Sequence, residues 1–549
     1  MSTMTKPVLK TQVLIVGAGP VGQGLAIELG LRGIACLVID KNDRVGTAPR
    51  AKTTNVRSRE HFRRWGMADK LREASPFGVD YPSNVVFTTR LSGHQLAKFD
   101  NALYCAPGRN PLYAEHAQWI PQYKVEQVMR DHLKGIPSVQ LRLQCQLLGI
   151  EQLSDCVHAT IGDVESDSLQ VVEAQFLVGC DGARSGVREA IGAHMEGTYG
   201  LSRNYNFVFR APGLAEAHPH GKAIMYWQIN SDLPSIIGPM DSDDRWFFMP
   251  TALAEGVQIT RENAPDYIRK ATGIDLPYEI LSADEWVASE LLATHYRDRR
   301  VFIAGDAAHL HPPFGGFGMN MGIGDAVDLG WKLAAVLQGW GGSGLLDSYQ
   351  QERRGVHQHV MGQATANHAL LGGSLLSPGL EDDTPAGEML RTATGKRIRS
   401  AKLSEFYTLG TILGDSYAGS PLIVAGDAPD NDHQRDFLNY VPCAEPGCRA
   451  PHAWLHDGSS LFDHFGAGFT LLVSATAAVD DTALACADAA RYGIPLKVLH
   501  PDNRGVRQLY PQPLTLIRPD QHIAWSGASW SSTEQADVFA VVAGHRPAA

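Results

Sequence analysis

Three glycines, Gly17, Gly19 and Gly22, stand in a GxGxxG spacing between an apolar, β-rich run (11–16) and a stretch with helical spacing (25–31). A second apolar run (35–40) ends in Asp40, so the segment reads as a βαβ unit of about thirty residues. Glycines at this spacing allow a tight turn, let a pyrophosphate approach the backbone and a helix N-terminus, and permit close helix packing. An acid at the end of the second strand accepts ribose hydroxyls. The chemistry is dinucleotide binding, and the fingerprint alone does not separate NAD from FAD. Two more loops follow strand-like runs: Asp181-Gly182-Ala183-Arg184-Ser185, with Arg188 beyond it, after 176–181, and Gly305-Asp306 closing 301–306. Downstream, 311–320 is a stiff Pro/Gly loop that runs into the helical stretch 322–337. Its amides and the positive helix end can face an anion, such as the N1/C2=O edge of a reduced flavin.

GxGxxG, a mid-chain DG motif and a GD motif before a Pro/Gly loop, in this order, resemble the flavoprotein aromatic hydroxylases of the p-hydroxybenzoate hydroxylase type. The resemblance implies an α/β fold in which a Rossmann-like FAD-binding domain interleaves with an antiparallel-sheet substrate domain. It implies FAD as cofactor, with Gly17, Gly19, Gly22 and Asp40 in its fingerprint. It further implies that Asp306 bonds the ribityl chain, and that Asp181 and Arg188 serve the pyrophosphate and the handling of NADPH or NADH. Gln122, in a QxxxE pattern with Glu126, would contact FAD. The family's PRA tripeptide is Pro49-Arg50-Ala51, placing Arg50 near flavin and active site. Pro313 falls in the catalytic loop, and Gly316, Gly318, Met319 and Asn320 would line the flavin. Phe317 stands where the family usually has Gln, so that amide's contact is lost. Asp325, Trp331 and Lys332 continue the family's helix pattern and read as structural. The segments 410–423, 449–452 and 516–525 resemble the phenol hydroxylase branch, whose thioredoxin-like C-terminal α/β domain often sits at a dimer interface. A homodimer is expected on that basis.

The implied reaction uses NADPH or NADH to reduce FAD, dioxygen to form a flavin C4a-hydroperoxide, and a phenolic or related aromatic substrate to attack its distal oxygen. The protein's share is to position the ring, exclude water and favour the phenolate. A general base is therefore expected near the hydroxyl. Phenol-type relatives often carry a histidine after PRA; here Lys52 occupies that place, followed by Thr53, Thr54 and Asn55. A lysine there acts as a point charge toward a phenolate or a substrate carboxylate, or else is simply solvated. Tyr205, Tyr226, Trp227 and Trp246 are pocket candidates, though aromatics in such strands are more often core than ligand. His309 and His311, beside Asp306, raise a metal reading that no further ligand cluster supports, so no metal is expected. Two alternatives stand beside the phenol hydroxylase: a tailoring or inactivating hydroxylase of a polycyclic polyketide or antibiotic, and a non-catalytic flavin-binding scaffold.

Positioning these residues requires strands and helices from distant parts of the chain. The motifs assign 1–77, 121–190 and 291–370 to the FAD-binding domain and 78–120 and 191–290 to the substrate domain. A helical connector (371–425), with Thr384 as an N-cap, and a thioredoxin-like domain (426–549) follow, the acidic run 426–436 reading as a linker. The composition agrees: 549 residues, 44% hydrophobic and 19% charged, suffice for several globular cores. A net charge of -11 excludes a nucleic-acid footprint or polybasic membrane anchor and leaves a small-molecule ligand. No apolar stretch approaches the ~18 residues of a membrane span, and the N-terminal apolar run is too short for a signal peptide. The eight scattered cysteines form neither a disulfide framework nor a zinc spacing; Cys443 and Cys448, the one close pair, read as neutral thiols. A reducing, cytoplasmic location is expected.

Overall fold

The N-terminal apolar run forms the strand Leu9–Val16, paired in parallel with Cys36–Asp40 on one side and Leu169–Gly179 on the other. Val139–Leu143 and Val301–Ile303 continue the parallel set at either edge, and Cys145–Gln152 and Val157–Asp163 add an antiparallel flap beside Leu169–Gly179. All five residues of Cys36–Asp40 are buried, as unbroken apolar runs of parallel sheets are when helices cover both faces. The computed structural model describes residues 8–43, 51–166, 168–242, 244–253, 256–369, 375–424, 436–530 and 537–546. Arg50, and all of the expected linker except Asp436, lie outside them.

Helices Pro20–Gly30 and Phe317–Leu337 cross closely because glycines stand at their contact: Gly24 faces Ile323 and Ala326, and Gly330 faces Leu25. The expected strand at 301–306 stops at Ile303, because Gly305 turns the chain at φ +63° into a short 3-10 turn, Gly305–Ala307.

The second sheet has eight strands in the spatial order His309–Leu310, Glu279–Ala293, Met195–Arg210, Arg245–Pro250, Ser235–Pro239, Met225–Gln228, Val85–Thr88 and Gln95–Phe99. Only the pairing of Met225–Gln228 with Val85–Thr88 is parallel among these neighbours. One face carries Phe87, Trp227, Ile236 and Phe247 toward the flavin-loop residues Phe314 and Phe317; the other carries Tyr205, Tyr226, Trp246 and Phe248 into a separate core over the helix Ala264–Thr272. Strands alternate their side chains, so Tyr226 and Trp227 must part company.

A long helix, Gly344–Ala369, leads on to Pro385–Phe406, whose N-cap Thr384 accepts from the Gly387 amide at 3.1 Å. The C-terminal unit has a four-stranded sheet: Phe469–Val473 pairs in parallel with Leu496–Leu499 and antiparallel with Leu514–Ile517, which pairs with Ile523–Gly527. It is fastened to the helix Phe317–Leu337 by a buried ion network. Lys332 donates to Asp328 at 2.8 Å and Glu352 at 2.5 Å, while Arg518 reaches Glu352 at 2.7 Å, Asp520 at 2.6 Å and Asp328 at 3.2 Å. Among the described residues no helix is long and apolar enough to cross a membrane.

Candidate functional site

At the carboxyl edge of the parallel sheet the fingerprint glycines make room for backbone. A Cβ at Gly17 would lie 2.2 Å from the Cys180 carbonyl oxygen, and one at Gly22 would lie 1.9 Å from that of Gly17. The DG loop thus rests directly on the fingerprint turn. The Asp40 carboxylate accepts from the Ala18 and Asn42 amides, each at 2.8 Å, at the mouth of the cradle. Helix Pro20–Gly30 starts at Gly19 and helix Phe317–Leu337 at Gly316 (φ +67°), and neither has a side-chain cap. The two starts are drawn together by Val21, which fills the space where a Cβ of Gly305 or Gly322 would sit (2.8 and 2.4 Å). Two uncapped helix N-termini leave amide donors for an anion. In the same loop His311 Nε2 is buried without a partner among the described residues, and burial lowers the His311 pKa to about 4. The cradle, the acid at its mouth and this donor set fit FAD.

Asp181 accepts from the Ser185 hydroxyl at 2.5 Å and the Val187 amide at 3.1 Å, which anchors the short helix Gly186–Ala190. Arg188 donates to the carbonyls of Ala307 (3.1 Å) and Ala183 (2.9 Å), so it ties the DG loop to the GD loop. Asp306 is half-buried in the turn that follows Gly305.

Lys52 is held by its backbone. Its carbonyl accepts from the Ile120 amide at 2.8 Å, and the strand that follows it, Thr53–Thr54, pairs with Gln118–Trp119. Gln122 grips the preceding residue twice, donating its amide to the Ala51 carbonyl (2.9 Å) and accepting the Ala51 amide on Oε1 (3.2 Å), while its Nε2 donates to Glu126 at 2.8 Å. Asn320 accepts from the Asn55 amide at 2.9 Å and donates to the carbonyls of Thr53 (3.0 Å) and Gly316 (2.6 Å), joining this strand to the flavin loop. Pro313 belongs to the turn of that loop, its carbonyl accepting the Gly316 amide at 3.0 Å. Gly318 lies against the His311 ring, at 3.6 Å from a Cβ built there, and Met319 is buried. The Lys52 ammonium lies 4.2 Å from the centroid of the Phe247 ring, on the side of the antiparallel sheet that packs toward Phe314 and Phe317 of the loop 311–320. Burial, with no paired carboxylate among the described residues, lowers its pKa to about 8.

The four aromatic candidates separate. Trp227 stacks on Phe87 at 5.3 Å and approaches Phe314 at 6.2 Å, so it belongs to the wall that faces the flavin loop. Tyr205, Tyr226 and Trp246 do not: they point into the opposite core, where the Tyr226 hydroxyl is occupied by the Gly221 carbonyl. Assigning all four to one pocket ignores the two-residue period of a strand. Phe247, Phe314 and Trp119 complete the wall, and Trp119 lies 6.5 Å from Phe247. Behind Trp227 a buried lysine, Lys402, puts its ammonium 4.4 Å from the indole centroid and pairs with Glu405 at 2.8 Å. Apolar residues at strand spacing carry no mark of this role, and Lys402 is remote in sequence from every motif.

His309 finds its partner in Asp325 (2.9 Å), not in His311. The same buried carboxylate accepts the Gly305 amide (3.0 Å), Arg353 (2.8 Å) and His357 Nε2 (2.8 Å). Donor atoms of His309, Asp325 and His357 lie within 4.8 Å of one another, as metal ligands would. Arg353, however, already supplies the positive charge there, and His357, His309 and Arg353 around Asp325 hold its pKa well below the usual carboxylate range against burial. The cluster acts as a clasp that fixes the start of the GD loop to the helix Phe317–Leu337. His357 and Arg353 lie on the distant helix Gly344–Ala369, with no local signal to pair them with Asp325.

Comparison with known proteins agrees with this geometry. A model described as FAD binding domain matches residues 10–364, and one described as aromatic-ring hydroxylase, C-terminal, matches 444–545. A putative polyketide hydroxylase from Streptomyces halstedii is 30% identical over 94% of this chain and 93% of its own. The 2,4-dichlorophenol 6-monooxygenase of Delftia acidovorans is 28% identical over 95% of this chain and 96% of its own. The solved structure of the rebeccamycin biosynthetic enzyme RebC with reduced flavin superposes with a TM-score of 0.89 at 33% identity, covering 98% of this chain and all of that one. With the cradle, the flavin loop and the whole-chain match in agreement, the chain belongs to the FAD-dependent aromatic-ring hydroxylases, a family of NAD(P)H-using flavoprotein monooxygenases.

Proposed function

We propose that the chain hydroxylates a phenolic ring held between the flavin loop 311–320 and the Trp227/Phe247 face of the antiparallel sheet, with Lys52 favouring the phenolate. The observation that carries this reading is the Lys52 ammonium, 4.2 Å from the Phe247 ring and, among the described residues, without a paired carboxylate. FAD, when bound, supplies the activation of dioxygen with electrons from NADPH or NADH. The chain's own groups do the rest. Below pH about 8 Lys52 Nζ is cationic and lowers the cost of ionising a nearby phenol; above it, the neutral amine can take the phenol's proton. Phe87, Trp227, Phe247 and Phe314 give flat apolar faces that hold a planar ring and keep water away.

On this reading the helix starts at Gly19 and Gly316 receive the pyrophosphate and the flavin edge, with Gly17, Gly22, Gly318 and Met319 giving close backbone approach. Asp40 bonds a ribose, Asp306 the ribityl chain, and Asp181 and Arg188 serve the phosphate and pyridine-nucleotide side. Gln122 and Asn320 steady the strand around Lys52, and Pro313 and Arg50 complete the site. The working partition keeps an interleaved FAD-binding unit (1–77, 121–190, 291–370) and substrate unit (78–120, 191–290), a connector to 425 and a C-terminal unit from 426, in a cytoplasmic homodimer.

Two substrate classes follow from the same site. A role in aromatic catabolism suits small phenols. Tailoring of a polycyclic aromatic product is favoured by the 33% identity to RebC across nearly the full chain. A screen of phenols, hydroxybenzoates and polycyclic phenols for accelerated NAD(P)H oxidation, with product identification, separates the two. NAD(P)H oxidation that no compound accelerates over the basal rate would favour a non-catalytic flavin scaffold, whereas hydrogen peroxide without hydroxylated product would mark an uncoupling effector.

A further inference from the structure

The strands Cys145–Gln152 and Val157–Asp163 of the antiparallel flap are joined by a hairpin in which the Leu153 amide donates to the Cys156 carbonyl at 2.9 Å, so Cys156 continues the line of the second strand. Side chains two residues apart share a strand face, which puts Cys156 beside His158. His158 stands directly across from Glu173 of the neighbouring strand Leu169–Gly179, and directly paired residues share a face as well. His158 Nε2 lies 3.5 Å from Glu173 Oε2, and one donor atom from each of Cys156, His158 and Glu173 lies within 4.8 Å of the other two.

A tetrahedral zinc ion takes a cysteine sulfur at about 2.3 Å and imidazole nitrogen and carboxylate oxygen at about 2.0–2.2 Å, which sets neighbouring donors roughly 3.3–3.6 Å apart. The imidazole and carboxylate already stand at that separation, and rotation of the Cys156 side chain closes the rest. A thiolate and an imidazole select zinc over magnesium or calcium, which take oxygen donors. The His158 and Glu173 side chains are 34% and 31% exposed, so an ion can enter from solvent and water can fill a fourth position. This is where the cluster differs from that around Asp325, whose two oxygens are already occupied by Arg353, two histidines and the Gly305 amide. Lys10 pairs with Glu173 through Oε1 alone, at 2.8 Å, and leaves Oε2 to the side of His158. The Lys10 side chain is 73% exposed, and an ion pair so open to water holds its carboxylate weakly.

We propose that Cys156, His158 and Glu173 form a zinc site on the flap of the FAD-binding unit. The Cys156 thiol gives its proton to solvent and binds as thiolate, His158 binds through Nε2 of the neutral ring, and Glu173 binds through Oε2. One thiolate and one carboxylate balance the two charges of the ion. Sequence spacing marks only the Cys-x-His pair; the third ligand is supplied by strand register.

The site stands apart from the flavin cradle. Glu173 pairs with Lys10 at the start of Leu9–Val16, while Gly179, on the same strand, pairs with Val16 beside the fingerprint turn, six residues or roughly 20 Å away. Zinc there takes no part in hydroxylation. It ties the flap to the strand that ends in the DG loop, and an ion that binds only the folded chain raises its stability.

The test uses the full-length holoenzyme without a histidine tag, stripped of metal and titrated with zinc against a chromophoric chelator. One equivalent should bind and raise Tm, and the affinity should fall with pH as the thiol and imidazole protonate. Cys156→Ser and His158→Gln should each weaken that equivalent by at least about 100-fold, since even outer-shell changes around a metal cost 10- to 100-fold, while turnover without zinc stays at the wild-type rate. Cobalt in place of zinc should give tetrahedral d–d bands to the red of the flavin absorption, absent in Cys156→Ser. In the wild-type protein, zinc should shield Cys156 from iodoacetamide and leave the exposed Cys486 as reactive as before, read by peptide mass. An equivalent held equally by Cys156→Ser, or alkylation of Cys156 at the same rate with and without zinc, would overturn the site.

Discussion

Lys332 and Lys52 are both withdrawn from water, yet they meet opposite company. Lys332 is fully buried and touches two carboxylates, Asp328 and Glu352, which Arg518 also bridges. Lys52 is half-buried against the Phe247 ring and has no carboxylate partner among the described residues, so burial lowers its pKa to about 8. A paired buried charge is complete in itself and has nothing left for a ligand. An unpaired one costs stability until an anion arrives. The comparison separates a charge that fastens the C-terminal unit from one that, on the proposed function, is left for substrate, although both sit beside residues of the family pattern.

The largest test of that contrast is Lys332→Met. It leaves Asp328 and Glu352 sharing a buried site with less positive charge, and urea unfolding should register a loss of about 3–5 kcal/mol. A loss under 1 kcal/mol would erase the distinction.

The next test is the pH dependence of stability in the apoprotein. Lys52 has a folded pKa of about 8 against 10.5 for an ordinary lysine, so between those values the unfolded chain binds more protons. Stability therefore contains a penalty that is full below pH 8 and relieved as pH rises toward 10.5, by about 3 kcal/mol. Lys52→Met should abolish that rise and leave the protein at pH 7 as stable as wild type, or more so. Equal slopes in wild type and variant would mean that Lys52 is solvated.

The smallest effect is expected on the far face of the sheet. Tyr226→Phe removes one hydroxyl from its bond to the Gly221 carbonyl, at a cost of about 1 kcal/mol in stability and none in KM. Trp227→Phe, on the flavin-loop side, should raise KM. A KM change in the Tyr226 variant would put both faces in play.

Much of this architecture was legible in the sequence because short-range rules determine it. The turn at Gly17 to Gly22, the buried strands around it and the cap at Thr384 each follow from local spacing. The family resemblance located the flavin loop and marked Lys52 as the departure from pattern. What was illegible was pairing at a distance. Nothing in the neighbourhood of His309 shows that its partner is Asp325, shared with His357 and Arg353 from another helix. The face taken by Tyr226 was, by contrast, decidable from alternation once Trp227 was assigned. Phe247 carried no mark at all, since a buried phenylalanine in a strand looks the same whether it packs only in a core or also meets a lysine ammonium.

The central claim is that Lys52 serves the substrate and not the fold, and Lys52→Met at pH 7.5 with the accelerating phenol tests it most directly. Hydroxylated product per NAD(P)H consumed should drop, and kcat/KM fall by about 10²-fold, while flavin content and Tm are retained. Wild-type rate and coupling in that variant, with flavin bound, would contradict the account.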